Sequence, residues 1–112
     1  MINDDSTSSA LMLIISNFGN LEEAQACAKD LLAQRLIACA NLIPGVISLY
    51  PWENELTEDQ ECLVIMKTLN HQTPSVVDYL ESHHSYDIPE ILILPVNETT
   101  DAYLSWIKKE IS

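Results

Sequence analysis

Apolar residues in the first third of the chain change from a continuous run to a helical spacing. Leu11–Ile15 is apolar at every position, which predicts a strand buried on both faces. Asn20 and Glu23 then have the spacing of a helix capping box, and apolar residues recur every three or four positions beyond them. The pattern therefore predicts a strand followed by a helix over residues 21–36.

The middle of the chain has the pattern of two strands. Residues 37–50 are rich in β-branched and apolar side chains, and the Pro44-Gly45 pair within them predicts a bend or a bulge. Residues 51–59 are polar and acidic, so they are predicted to form a hairpin-sized loop. Residues 61–68 then predict the return strand of this hairpin.

The last third of the chain predicts a helix, a strand and a further helix. Thr73-Pro74 suits the cap and first position of a helix that ends near residues 83–84. Residues 91–96 are another apolar run and predict a buried strand. The Thr-Thr-Asp sequence at 99–101 then caps a final helix, which carries lysines near its C-terminus, where the helix dipole favours cations.

The predicted order is βαββαβ with an extra C-terminal helix, which is the α+β, ferredoxin-like arrangement of two split βαβ units. Right-handed crossovers place both main helices on one face of a four-stranded sheet. The other face keeps apolar side chains uncovered, and subunit association would cover them. Residues 1–9 are small and polar and are predicted to be a flexible N-terminal tail, with residues 10–112 as a single domain.

The chain is strongly acidic, which narrows the classes of partner. It has 112 residues, with 5 Lys and Arg against 17 Asp and Glu, so its net charge is −12. We expect no nucleic-acid partner because phosphate contacts need clustered cations, and no anionic membrane partner for the same reason. Divalent cations and cationic partners are left as candidates.

Three features of the sequence favour the cytoplasm. Cys27, Cys39 and Cys62 cannot all pair within one chain, and each lies in an apolar run, as is typical of buried thiols in a reducing compartment. Residues 1–9 have neither the positive charge nor the apolar run of a signal peptide. No apolar run approaches the roughly 18 residues that a membrane helix needs.

The histidine pair His83-His84 is a candidate metal site, since imidazole binds copper, zinc and nickel. Adjacent helical residues point about 100° apart, so both could reach one ion only beyond the helix end. The alternative is a helix C-terminus, where the dipole favours histidine without any metal. Lys67 lies within an apolar strand and needs a charged partner, for which Glu61 and Glu90 are candidates.

The sequence favours a binding protein over an enzyme. No nucleophile is accompanied by a base and an orienting group in a known pattern, and the chain has only two glycines, Gly19 and Gly45. The acidic run over residues 53–61 lacks the spacing of a calcium-binding loop and is expected to be solvated. Trp52 and Trp106 are typical of packing residues, although at a subunit boundary they could also be ligand platforms.

The chain resembles the CutA divalent-cation tolerance family over about residues 11–110. The longest matching segment is RLIACANLIPGV at residues 35–46, which resembles the second-strand signature of that family. Further segments follow in the family's order: SLYPWE at 48–53, MKT at 66–68, HHSYDIPE at 83–90, LPV at 94–96 and YLSW at 103–106.

The resemblance implies a ferredoxin-like subunit in a tight homotrimer, similar to the PII signalling proteins, with copper or another divalent cation as its ligand. It also implies clefts between subunits, whose candidate residues here are Trp52, Glu61, Lys67, Tyr86, Glu90 and Trp106. Many bacterial relatives end the first strand with Cys-Thr, and that cysteine is a proposed copper ligand. Here the residues are Ile15 and Ser16. The change removes a thiolate, the softest candidate ligand, and leaves His83 and His84 as the candidate metal ligands.

Three functions stay open at this point. The first is a cytosolic trimer that binds copper or another divalent cation and contributes to metal tolerance, which the histidine pair favours. The second is a PII-like signalling or adaptor trimer that binds a small molecule in its intersubunit clefts, which the missing first-strand cysteine and the PII-like architecture favour. The third is a structural trimer.

Overall fold

A computed structural model describes residues 9–112 of the protein. These residues form four strands and three helices, with one 3-10 turn at Asn70–Gln72. The elements are β1 (Leu11–Phe18), α1 (Leu21–Ala33), β2 (Cys39–Trp52), β3 (Glu55–Leu69), α2 (Thr73–His83), β4 (Leu92–Pro95) and α3 (Asp101–Glu110). The strands lie in the order β2-β3-β1-β4, and every neighbouring pair is antiparallel. This is the predicted ferredoxin-like arrangement with a C-terminal helix, and the α+β fold class is confirmed.

The ends of the helices show which capping predictions hold. Asn20 Oδ1 accepts from the Glu23 N–H at 2.8 Å, and Thr100 Oγ1 accepts from the Tyr103 N–H at 3.3 Å, so both predicted caps are confirmed. The prediction that Thr73 caps α2 is wrong, because Thr73 already lies inside the helix and its hydroxyl donates to Leu69 O.

Helix α1 ends earlier than the sequence predicted. It stops at Ala33 rather than at residue 36. The reason is Arg35, whose φ of 59° lies in the left-handed region and breaks the helical path. The side chain of Arg35 then donates to the carbonyl oxygens of Lys109 and Glu110, so it satisfies the C-terminal end of α3.

The predicted loop over residues 51–59 is wrong. β2 and β3 continue through these residues and are joined by the two-residue turn Glu53-Asn54. Both turn residues have positive φ, 51° and 68°, as a type I′ hairpin turn requires. We call the part of this hairpin formed by residues 46–61 the distal hairpin.

The predicted irregularity at Pro44-Gly45 is confirmed as a β-bulge. The pairing passes from Ile43 opposite Leu63 to Val46 opposite Glu61, so β2 holds one residue more than β3 across this step. Gly45 has a φ of 75°, which a glycine adopts without strain. Because side chains alternate along a strand, the extra residue exchanges the two faces of β2 beyond the bulge.

The main core lies between the sheet and helices α1 and α2. The strands contribute the side chains of the sheet face that these helices cover. The helices contribute side chains that include Ala24, Leu31, Val76 and Leu80. Ile14 and Met66 lie directly opposite each other and are fully buried, and each large side chain of this kind contributes roughly 1.5–3 kcal/mol. Both main helices therefore cover one face, as predicted.

The opposite sheet face is covered only at one end. There α3 packs Ile107 and Ile111 against Leu11 and Leu69. Elsewhere on this face large apolar side chains remain exposed, among them Ile43, Leu92 and Leu94.

The predicted tail over residues 1–9 lies outside the described residues except for Ser9, whose hydroxyl donates to Val96 O. Within residues 9–112, no helix is both long and apolar enough to cross a membrane. All three cysteines are free thiols.

Candidate functional site

A pocket of about 510 Å³ opens beside the distal hairpin, between the end of β1 and the segment that joins α2 to β4. We call it the acidic pocket. Its lining residues are Asn17, Tyr50, Trp52, Thr57, Asp59, Glu61, Tyr86, Asp87, Ile88 and Glu90. Four of them are carboxylates and three are aromatic, and within the described residues none of the lining side chains is a Lys, Arg or His.

Glu61 is the most buried carboxylate of the pocket. It is only 8% exposed, and its Oε2 accepts a hydrogen bond of 2.7 Å from the Tyr86 hydroxyl. Burial, and then this bond to Glu61, raise the pKa of Tyr86 above its ordinary value of 10.0. Tyr86 therefore stays protonated and holds Glu61 in one orientation.

Asp59 is held in the same way by a second tyrosine. Its Oδ2 accepts from the Tyr50 hydroxyl, and this bond is the main reason that the pKa of Tyr50 is raised. The bulge in β2 is what brings the two groups together, because beyond it the even-numbered residues of β2 share a face with Asp59 and Glu61 of β3.

Asn17 supplies the inner end of the pocket. Its Oδ1 is buried and has no hydrogen-bond partner among residues 9–112.

His84 positions the pocket and does not line it. Its Nδ1 accepts from the Tyr86 N–H at 3.1 Å, which leaves the proton on Nε2, and Nε2 donates to Asn17 O at 2.7 Å. The ring also stacks on Phe18, with 4.4 Å between the ring centroids. His84 cannot ligate a metal without giving up one of these bonds, which counts against the predicted pairing with His83.

His83 is placed differently. Its ring is exposed and stacks on Tyr79, and its Nδ1 lies 2.9 Å from Tyr79 O, so Nδ1–H donates and Nε2 keeps its lone pair. Within residues 9–112, no three His, Cys, Asp or Glu side chains are close enough together to hold a metal ion.

The structure brings together four of the six predicted cleft residues, namely Trp52, Glu61, Tyr86 and Glu90. Lys67 lies elsewhere, and its Nζ donates to Asn41 Oδ1 rather than to a carboxylate of its own chain. The predicted pairing of Lys67 with Glu61 within one chain is wrong because six residues of strand separate them by about 20 Å.

Trp106 also lies away from the pocket. It is on α3, where it stacks on Tyr103 with 5.9 Å between the ring centroids, and it is 42% exposed.

The lining residues that sequence reasoning missed are Asn17, Tyr50, Thr57, Asp59, Asp87 and Ile88. One signal was available in the sequence. Thr57, Asp59 and Glu61 recur at every second position, which is the period of one face of a strand. The acidic character of the run concealed that period.

The fold defines a ferredoxin-like α+β protein, and the pocket defines a site suited to a cation. The family model described as CutA1 divalent ion tolerance protein matches residues 12–110. The chain therefore belongs to the CutA1 divalent ion tolerance protein family.

Individual relatives agree with this assignment. A divalent-cation tolerance protein CutA from Thermus thermophilus is 41% identical over 88 residues, which cover 79% of this chain and 85% of the relative. One from Escherichia coli is 37% identical over 111 residues, or 99% of each chain. The solved structure of a periplasmic divalent cation tolerance protein CutA from Archaeoglobus fulgidus superposes with a TM-score of 0.87 at 31% identity, and covers 91% of this chain and 99% of that one.

Proposed function

We propose that this protein contributes to divalent-cation tolerance as a cytoplasmic homotrimer, and that its acidic pocket binds the cation in a cleft between subunits. The observation that carries the proposal is that Asp59, Glu61, Asp87 and Glu90 all line one pocket of a chain with net charge −12. Within residues 9–112 no three of these carboxylates lie close enough together to hold an ion, so we expect a neighbouring subunit or water to complete the ligand set. Carboxylates are ligands for divalent metals, and a cleft of one charge sign concentrates the opposite ion.

Copper is the metal that the chain suits best on affinity order, since Cu(II) exceeds the other first-row divalent ions for a given nitrogen and oxygen site. The hydrogen bonds of the histidine pair leave one imidazole lone pair, on Nε2 of His83. His83 does not line the acidic pocket, so we propose it as a separate copper ligand. Ile15 supplies no thiolate, so we expect Cu(II) rather than Cu(I).

Titration calorimetry of the metal-free protein with Cu(II), Zn(II) and Mn(II) tests the site. We expect Glu61→Gln to weaken metal binding about tenfold or more, because one negative ligand is lost while an oxygen still accepts from Tyr86. Glu58→Gln is the matched control, since Glu58 lies on the same strand and faces away from the pocket. Equal affinities in wild type and Glu61→Gln would contradict the placement of the site.

A second variant separates the histidine from the carboxylates. His83→Ala should weaken Cu(II) binding more than Mn(II) binding, because manganese prefers oxygen ligands. Equal losses for the two metals would show that His83 is not a ligand.

Exposed apolar side chains support the homotrimer. On the distal hairpin Ile47, Leu49 and Leu56 are 60%, 63% and 81% exposed, and apolar groups of this size are rarely left in water in such numbers. Sedimentation at micromolar concentration should give three times the mass of the chain, and a monomer would contradict the proposal. The free thiols support a reducing compartment, which cell fractionation can test.

The size and walls of the pocket favour the PII-like adaptor as a second candidate function. A volume of about 510 Å³ lies in the range of small-molecule sites, and Tyr50, Trp52 and Tyr86 supply aromatic surface that a bare metal ion does not use. A partner protein would then sense whether the small molecule is bound. Co-purification of a partner that depends on Trp52 and not on Trp106 would support this function.

A further inference from the structure

The walls of the acidic pocket are suited to an organic cation. Tyr50, Trp52, Tyr86 and Ile88 give apolar and aromatic surface, and aromatic rings attract cations that approach their faces to within about 6 Å. The volume of about 510 Å³ is large enough for a small organic molecule. A single metal ion would leave most of this space to water.

The carboxylates are distributed along the pocket rather than gathered at one point. Asp59 and Glu61 lie two residues apart on one face of β3, so their Cα atoms are about 7 Å apart. A different tyrosine holds each of them, which fixes the two negative charges at separate positions. Asp87 and Glu90 add two more carboxylates from the segment that joins α2 to β4.

The pocket also needs a hydrogen-bond donor. The Tyr50 and Tyr86 hydroxyls already donate to carboxylates, and the exposed carboxylates of Asp87 and Glu90 can only accept when ionised. A ligand must therefore bring N–H groups as well as positive charge. A primary ammonium group brings three N–H donors, whereas a quaternary ammonium brings none.

We infer that the acidic pocket binds a linear α,ω-diaminoalkane, whose two ammonium groups meet separate carboxylates and whose methylene chain lies along the aromatic wall. This inference rests on the part of the proposed function that makes the acidic pocket a cation site, and it names an organic ligand class for that same site. The diamine binds as an intact dication, with no bond made or broken.

Calorimetry with three small ligands tests the inference on the assembled wild-type protein. We expect 1,4-diaminobutane to bind roughly tenfold or more tightly than n-butylamine, because the second ammonium adds a charge-assisted hydrogen bond. The fully N-methylated diamine should bind more weakly than the parent diamine, since it keeps both charges and loses every N–H donor. Equal affinities for the diamine and the monoamine would overturn the inference.

Matched variants distinguish specific binding in the pocket from nonspecific electrostatic attraction to an acidic protein. Glu61→Gln and Asp59→Asn should each weaken diamine binding about tenfold, and Glu58→Gln should leave it within about twofold. Similar losses in all three variants would overturn the inference, because they would show diffuse attraction to negative charge.

A spectroscopic measurement on folded protein gives a second, local test. The chain has two tryptophans, and Trp106→Phe leaves Trp52 in the pocket as the only indole. Addition of 1,4-diaminobutane should change the Trp52 emission saturably, at the same concentrations that calorimetry gives. An unchanged emission at saturating diamine would contradict binding at this site.

The two proposals fail separately. Metal binding that depends on Glu61, without any diamine binding, would overturn this inference and leave the proposed function standing. Diamine binding that depends on Glu61, without any metal binding, would overturn the divalent-metal function and leave this inference standing.

Discussion

The hydrogen bond between Tyr86 and Glu61 allows a direct measurement of how much a contact of the pocket contributes to the stability of the protein. Tyr86→Phe removes the donor 2.7 Å from Glu61 Oε2 and leaves a carboxylate that is 8% exposed with one partner fewer. Hydrogen bonds to charged groups contribute roughly 1.5–3 kcal/mol, so we expect a loss of about 2 kcal/mol in the free energy of unfolding. Urea denaturation at one fixed protein concentration measures it, because assembly makes stability depend on concentration.

The matched control is Tyr79→Phe. The Tyr79 hydroxyl also donates to a carboxylate, but its acceptor, Asp30, is exposed. Contacts between exposed polar groups are screened by water, so we expect a loss below about 1 kcal/mol. Equal losses in the two variants would refute the argument that burial of Glu61 sets the cost.

The pH dependence of the same variant gives an independent check. The pKa of Tyr86 is raised above 10.0 in the folded chain, so an unfolded tyrosine loses its proton first. The stability from this hydroxyl is complete below about pH 10 and is lost as the pH rises toward the folded pKa. Wild type should therefore lose more stability than Tyr86→Phe between about pH 9 and pH 11, and parallel curves would contradict this assignment.

Three further predictions concern local structure. Asn20→Ala removes the cap from the Glu23 N–H and should lower stability by about 1 kcal/mol in urea denaturation, whereas no loss would contradict the capping role. Gly45→Ala has open space for its Cβ, so its cost of about 1 kcal/mol should come from the positive φ alone, and unchanged stability would refute this. Burial, followed by Asp30 and Glu23, raises the pKa of Cys27 to about 11 from 9.0, so its thiolate fraction is about a hundredfold lower. Alkylation of Cys27 near neutral pH should be slower by that factor than in the denatured chain, and equal rates would contradict the shift.

The elements that pack against the core were predicted well from the sequence. Strand β1 and helices α1 and α2 each bury a continuous or periodic apolar set, and this signal survives in a single sequence. The end of the distal hairpin, residues 51–59, was predicted as a loop because it buries little within one chain and its acidic residues concealed the strand period. The Glu53-Asn54 turn carried a signal in Asn54, which tolerates positive φ, but Glu53 gave none.

The candidate site was predicted only in part because it depends on pairing between distant segments. The family resemblance, and not the residue pattern, made Glu61, Tyr86 and Glu90 candidate cleft residues. The contact between Glu61 and Tyr86 joins residues 25 positions apart in the sequence. Lys67 lies on the same strand as Glu61, and a strand six residues long separates them further than a side chain can reach. Sequence alone gives residue types at such positions but not their distances.

The bulge at Pro44-Gly45 makes the effect of a deletion in β2 depend on where the deletion falls. The bulge carries the one extra residue of β2, so deletion of Gly45 alone would restore strict alternation between Ile43 and the turn. Val46 would still lie opposite Glu61, so Tyr50 and Trp52 would stay on the pocket face. Deletion of a residue further along β2 would also remove the bulge, but the residues between the bulge and the deletion would then exchange faces. The position of a deletion, and not its length, therefore decides which side chains line the pocket.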